Sequence, residues 1–279
     1  MDTVKKLICF AVLLAVAVSA FAGCDSSREP KPTEGLAFTK MSRECVITGI
    51  GTASQKKIVI PSEIDGLPVT EIEKEAFKDT AVVSVFIPSS VVIVGDYAFS
   101  GCVNLRSVTF SQGVGSIGEG AFYGCTALRE IVVPESVGVL FKRAFYGCTR
   151  LKYVLIEGCP NLFLGCFQNC TSLKSFRMVP GNGDYYEVGH LAFSSCTALE
   201  ELVLAEGAEC LGDECLAGTA SLKELYIPAF VSVIGPSVFS GSGIEKVCFG
   251  GSKEEWEAIK IHQPNEELAS VEIEYNCGN

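Results

Sequence analysis

An aromatic residue, usually preceded by Ala, returns along the chain at a nearly constant interval: Phe77, Phe99, Phe122, Phe145, Phe167, Phe193 and Phe239, with Leu216 in the same frame. The steps are 22, 23, 23, 22, 26, 23 and 23 residues. Such self-similarity constrains a fold more than composition does. Each unit is too small to bury its apolar side alone, so only stacking of neighbours makes a core. Ala121-Phe-Tyr-Gly-Cys-Thr-Ala-Leu-Arg-Glu-Ile-Val-Val-Pro134 is the clearest unit, and Ala98-Phe-Ser-Gly-Cys and Ala192-Phe-Ser-Ser-Cys open others in the same frame. A second half follows, with Val or Ile and a Gly before the next aromatic, as in Val114…Ile117-Gly118 and Val231…Ile234-Gly235. The unit predicts one short strand of Leu-x-x-Val-x-Ile type, a Pro or turn that ends it, and a compact return.

A period of about 23 residues lies within the leucine-rich repeat range. The expected architecture is an α/β-type solenoid of eight units over 77–250. Eight strands stacked at roughly 4.8 Å give an array of about 35 Å. Open solenoid ends expose core and strand edges, so caps are expected. At the front, over 37–76, Cys45-Val-Ile-Thr-Gly and Lys57-Ile-Val-Ile-Pro61 read as strands. At the back, over 251–279, Ser252-Lys-Glu-Glu255 is a capping box. The helix it starts is expected to continue through Trp256, Ile259 and Lys260, and Val271-Glu-Ile-Glu-Tyr275 alternates as a strand.

The Ala-Phe-x-Gly-Cys-x-x-Leu-x-x-Val-x-Ile-Pro frame resembles the BspA-like class of bacterial leucine-rich repeats. So do the front segment IVIPSEIDGLPVTEIEKEAF and the back segment FGGSKEEWEAIKI. The resemblance covers about Leu36 to Asn279. The departures are Leu216 for Phe, Cys166 and Cys215 for Ala, and three extra residues in the fifth unit. It implies a surface-exposed adhesin that binds host matrix proteins or other bacteria, without naming a ligand.

Residues 1–23 read as an export signal: Lys5 and Lys6 precede an apolar run from Leu7 to Phe21, too short to span a bilayer comfortably. The exit Phe21-Ala22-Gly23-Cys24 resembles a bacterial lipobox, which implies lipidation of Cys24. Residues 24–36, polar with two prolines in Asp25–Glu34, read as an extended tether. An exported, membrane-anchored lipoprotein at the cell surface is therefore expected. Asp25, directly after the lipidated Cys, keeps a periplasm-facing alternative open.

The balance of 22 Lys+Arg against 33 Asp+Glu, a net charge of −11, argues against nucleic acid as a partner. Two distant histidines, His190 and His262, make a zinc or His-based catalytic site a poor fit. Gly113-Val-Gly-Ser-Ile-Gly118 matches a nucleotide-loop string, but Gly118 is the repeat's own Gly and no βαβ unit surrounds it. Asn182-Gly-Asp184 lacks the carboxylate density calcium needs, and the neighbours Asp213 and Glu214 face no cleft. No cofactor, metal, catalytic set or small-molecule substrate is expected. Of the 14 Cys, five form a ladder three residues after the aromatic: Cys102, Cys125, Cys148, Cys170 and Cys196. Buried turn thiols are the expected role. Parallel side chains oppose cross-links between rungs, whereas Cys159 with Cys166, or Cys210 with Cys215, stay open as disulfides. Cys166-x-x-x-Cys170 is a ligand spacing whose second member belongs to the ladder.

Outward residues of the strands line the expected concave face. Phe86, Val132, Leu155, Val203 and Tyr226, with Tyr153 beside them and Arg177 between, form a candidate binding stripe for a protein or glycan partner. A basic row, Arg106, Arg129, Lys152, Lys174 and Lys223, runs alongside and is interrupted by Glu200. The competing explanation is that strand-favouring residues and solubilising charges account for both. Gly181-Asn-Gly-Asp-Tyr-Tyr186 is a second contact candidate. Three function classes follow: a membrane-anchored recognition module, a non-adhesive envelope scaffold, and a thiol-dependent redox protein or enzyme.

Overall fold

A computed structural model describes residues 30–158, 160–179 and 185–277. The expected export signal, Cys24, the first part of the expected tether, Cys159 and Asn182-Gly-Asp184 lie outside the described residues. Among the described residues no helix is long and apolar enough to cross a membrane.

The Leu-x-x-Val-x-Ile segments form short parallel strands, such as Ser107–Phe110, Glu130–Val133, Tyr153–Glu157 and Ser175–Val179. Their middle Val or Ile points into the core and its neighbours point out, so burial alternates along each strand. With Lys57–Val59 at one end and Glu272–Glu274 at the other, ten such strands lie in three parallel sheets of three, four and three. Strands of the caps thus extend the ladder beyond the eight units read from the sequence.

The return legs are strands as well. Ile93–Val94, Ser116–Ile117, Val139–Leu140 and their equivalents pair in parallel within a twelve-stranded second sheet. The molecule is therefore a leucine-rich repeat β-solenoid of mostly strand, not the α/β type expected. A leg such as Val137–Leu140 is too short for a helix, and the left-handed residue Arg143 (φ 56°) follows it. Helix is confined, among the described residues, to Lys253–Ala258 and a 3₁₀ turn at Glu266–Ser270. The Ser252 capping box forms, with Ser252 Oγ accepting from Glu255 N–H and the Glu255 carboxylate accepting from Ser252 N–H. The helix stops earlier than its sequence suggests. Ile259 is extended, and Lys260–Ile261 joins the return ladder beside Val233–Ile234. Continuing the ladder satisfies the backbone of the preceding turn, which another helical residue would leave open.

Thr33 and Leu36, both expected in the tether, pack on the solenoid. Thr33 N–H donates to Val59 O at 2.9 Å, its hydroxyl oxygen accepts from Val59 N–H at 2.8 Å, and Leu36 is only 8% exposed. The folded unit begins at Thr33.

Six ladder rings stack face to face through the core, from Phe77–Phe99 at 4.9 Å to Phe167–Phe193 at 5.8 Å between centroids. Every one of them is fully buried. Each corner that delivers a ring bends through a left-handed residue two positions earlier, including the non-glycines Tyr97, Arg143, Leu191 and Ser237. That conformation costs roughly 1–2 kcal/mol per non-glycine residue. The next turn offsets it by accepting the corner N–H: Tyr97 to Glu119 O at 2.7 Å, Arg143 to Leu164 O and Leu191 to Asp213 O at 2.9 Å. Just before this bend the turns crowd. A Cβ on Gly118 would sit 2.7 Å from Asp96 N. Three turns depart from Gly there, with Glu73 in the first and Phe141 and Phe163 in two others, and these two rings stack outward on each other at 5.7 Å.

Candidate recognition face

Register places the outward residues in straight rows across the strands. Val132 stands beside Leu155, Leu155 beside Arg177 and Arg177 beside Val203, while Tyr226 stands beside Cys248. Phe86 neighbours Thr109 in the same row at the first sheet. The outward residues read from the sequence thus stand in register within each of the three face sheets. Their apolar stripe is less continuous than expected: Thr109 and Arg177 interrupt it, and every member is half-buried by its flanking strands. Arg177 is held by a two-point ion pair with Glu201, whose carboxylate also accepts from Ser175 Oγ at 2.6 Å. Tyr226 donates to Glu206 at 2.6 Å, and burial together with that carboxylate pushes its hydroxyl pKa upward. The longest unbroken apolar run on the face is Val132–Leu155 with Tyr153 beside it, and Phe86 and Val203 are equally half-buried.

The basic row divides into two halves. Lys174 pairs with Glu200 at 3.1 Å and Lys223 with Glu245 at 2.6 Å. Arg106, Arg129 and Lys152 are exposed and have no carboxylate within 4 Å among the described residues. Backbone bonds align the row in two pieces: Lys152 N–H donates to Arg129 O at 2.7 Å and Arg106 N–H to Val83 O at 2.8 Å, and between Arg106 and Arg129 the face passes from one sheet to the next. The same line continues through Val83 N–H to Lys56 O at 2.7 Å, so Lys56 is a further exposed member that the repeat frame did not reach. The signal for it was weak, because the front strand Lys57–Val59 lacks the Ala-Phe and Gly-Cys landmarks.

The second candidate contact loop is corrected at Tyr186. That ring is 1% exposed and donates to Ala205 O at 2.8 Å, taking the buried place that Val114 and Val137 hold in other turns. Tyr185 alone is open, 59% exposed and edge-on to Phe230 at 5.7 Å.

The thiol ladder is structural. Each Sγ–H donates to the carbonyl of the ladder Phe one turn back, from Cys102 to Phe77 O at 3.0 Å through Cys196 to Phe167 O at 3.1 Å. Thr80 and Thr219 hold the equivalent place at two turns, each bonding the carbonyl three residues earlier at 2.7 Å. Burial pushes Cys148 and Cys196 up to about 12. Cys166, Cys210 and Cys215 carry free thiols, so the Cys210–Cys215 pairing is not made and Cys166 has no disulfide partner. The bridge present among the described residues is Cys248–Cys277, a pairing the sequence did not single out. His190 Nδ1 accepts from Asp213 N–H at 3.1 Å, as a corner residue on an exposed edge.

The BspA type leucine rich repeat region matches in six copies over residues 70–184 and 165–258. A leucine-rich repeat protein of T. pallidum is 29% identical with a TM-score of 0.59, over 69% of this chain and 90% of that one. A leucine-rich repeat protein of Bacteroides ovatus is 25% identical with a TM-score of 0.53, over 88% of this chain and 68% of that one. No curated protein matches in sequence. With its aromatic ladder, its in-register strands and a family match running from 70 to 258, the chain belongs to the BspA-type leucine-rich repeat family.

Proposed function

We propose that this chain is an exported lipoprotein, anchored through Cys24, whose solenoid presents its outer sheet face to a macromolecular partner at the cell surface. The observation that carries the reading is the in-register face itself: Tyr153, Val132 and Leu155 beside three cations without a carboxylate within 4 Å among the described residues, on a scaffold whose ladder rings are fully buried. A rigid array of parallel strands holds such groups at fixed spacing, so little ordering entropy is lost on contact. Membership of a repeat family built for protein contact fits this reading.

Protease treatment of intact cells tests the placement. Release of the repeat domain is the expected result. Protection until the envelope is opened overturns the surface reading and leaves a periplasm-facing scaffold. Replacing Tyr153, Leu155, Val203 and Tyr226 together by Ser is expected to reduce adhesion of expressing cells to a coated extracellular-matrix preparation at least tenfold, with the melting curve checked alongside. Undiminished adhesion removes the site assignment.

The redox alternative fares worse, because ladder thiols buried and held protonated are poor nucleophiles. Mass mapping after brief iodoacetamide treatment of the native chain should find Cys210, the one partly exposed free thiol among the described residues, modified well before any ladder thiol. A ladder Cys modified first would revive thiol chemistry.

A further inference from the structure

From the charge layout of this face we infer that its first half binds a linear polyanionic glycan, one carrying a carboxylate or sulfate on each sugar, laid along the solenoid axis. The inference rests on the recognition reading of the same face and specifies its ligand. Three observations carry it.

The first is the contrast between the two halves. Lys174, Arg177, Lys223 and Lys246 each already hold a carboxylate. Among the described residues, Arg106, Arg129, Lys152 and, two turns before Arg106, Lys56 hold none within 4 Å. An anion arriving at the first half therefore breaks no existing ion pair, whereas at the second half it must displace one. On a chain with net charge −11, a run of unpartnered cations on successive turns is a local reversal of sign that selects an anionic ligand.

The second is spacing. Arg106, Arg129 and Lys152 stand one per turn, at about the strand separation of 4.8 Å, and Lys56 stands two turns before Arg106 with Val83 between. This is close to the ring-to-ring repeat of a linear polysaccharide. An extended acidic peptide presents side chains on one face at roughly 6.8 Å, twice the rise per strand residue, and falls out of step over three turns. Long Arg and Lys stems can follow charges offset from ring to ring.

The third is what flanks the row. Ser107 and Thr109 offer hydroxyls and Tyr153 a half-open ring, groups that suit a ligand dense in hydroxyls, and Glu130 is the only carboxylate among the outward positions from Ser84 to Leu155.

The test uses the full chain and three probes: an oligogalacturonate of about six rings, a poly-glutamate of equal charge, and neutral dextran. Titration calorimetry over a salt series is expected to show binding of the oligogalacturonate alone, weakening as salt rises. R106S/R129S/K152S should lose at least tenfold in affinity and about two to three units of the log–log salt slope. K174S/K223S, which removes paired cations of the same row, should bind within twofold of the native chain. Poly-glutamate binding as tightly through the same three residues would overturn the glycan while leaving the face a recognition surface. No binding of either polyanion, or undiminished binding by the triple variant, would overturn the inference. The recognition reading would then stand or fall separately on the adhesion of the Tyr153, Leu155, Val203 and Tyr226 variant.

Discussion

Replacing Phe145 by Ala is expected to destabilise the solenoid by about 3–5 kcal/mol, the range for removing a fully buried aromatic ring. Phe145 has no exposed surface and stacks between Phe122 at 5.1 Å and Phe167 at 5.2 Å, so its loss opens a cavity walled by two other rings. The neighbours cannot close on it. Their backbones are held by corner bonds such as Phe145 N–H to Cys166 O at 2.8 Å, and Phe145 O also anchors the Cys170 thiol at 3.2 Å. Phe145→Leu should cost far less, about 1–1.5 kcal/mol, as expected for a swap that keeps most of the volume. The chain itself carries Leu216 in this frame, fully buried. Urea unfolding followed by circular dichroism checks both variants. In a quasi-one-dimensional array a central lesion also threatens cooperativity, so the Ala variant is expected to show a lower denaturant slope as well as a lower midpoint. A cost below about 1 kcal/mol would mean that the ring stack is not what joins the turns.

That ladder was the most legible part of the molecule, because one buried core residue per turn holds the steps at 22 or 23 residues, apart from the 26-residue step of the unit with three extra residues. The outward rows were legible too, since alternation along a strand and parallel register across strands determine who stands beside whom. Other features left weaker traces. Leu191 and Arg143 take left-handed conformations usually given to Gly, and only the waiting carbonyls of the next turn explain them. Tyr186 looked like a surface aromatic because the three extra residues of its unit hide that it fills a buried Val position. The pairing state of the basic row depends on side chains 22 to 26 residues apart, as in Lys174–Glu200 and Lys223–Glu245, and the repeat frame does not encode which rows carry partners. The return legs were misjudged because a four-residue segment with apolar ends fits a helical turn and a short strand equally well.

Breaking the Cys248–Cys277 bridge should produce the second large effect, and a more local one. The two sulfurs close a segment of 29 residues that contains the helix Lys253–Ala258, the return strand Lys260–Ile261 and the last face strand Glu272–Glu274. Tying the ends of a loop of that length is worth about 3–4 kcal/mol if the gain is the entropy removed from the unfolded chain. Beyond the bridge, a three-residue ladder with Lys246–Cys248 and the half-buried Val271, Ile273 and Tyr275 hold the end of this segment. The face strand Glu272–Glu274 is an edge, the Lys246–Glu274 ion pair at 2.7 Å is partly solvent-exposed and worth little, and Cys277 N–H to Phe249 O at 3.0 Å is one of the last backbone bonds. The solenoid, by contrast, needs its end covered: Phe249 is fully buried, and Trp256 packs edge-on to it at 5.3 Å. C248S/C277S is therefore expected to melt in two steps, the segment after Phe249 losing amide-exchange protection first while the turns around Phe122 and Phe145 keep theirs. Mild reductant on the native chain should reproduce the first step, since the bridge lies on the partly exposed sheet face and not among the buried ladder thiols. Unchanged exchange over 253–277 in both experiments would show that core packing and the last strand's ladder hold the cap without the bridge. A single cooperative melt at a lower temperature would show instead that the cap and the turns unfold as one unit, the bridge then stabilising the whole array and not its end.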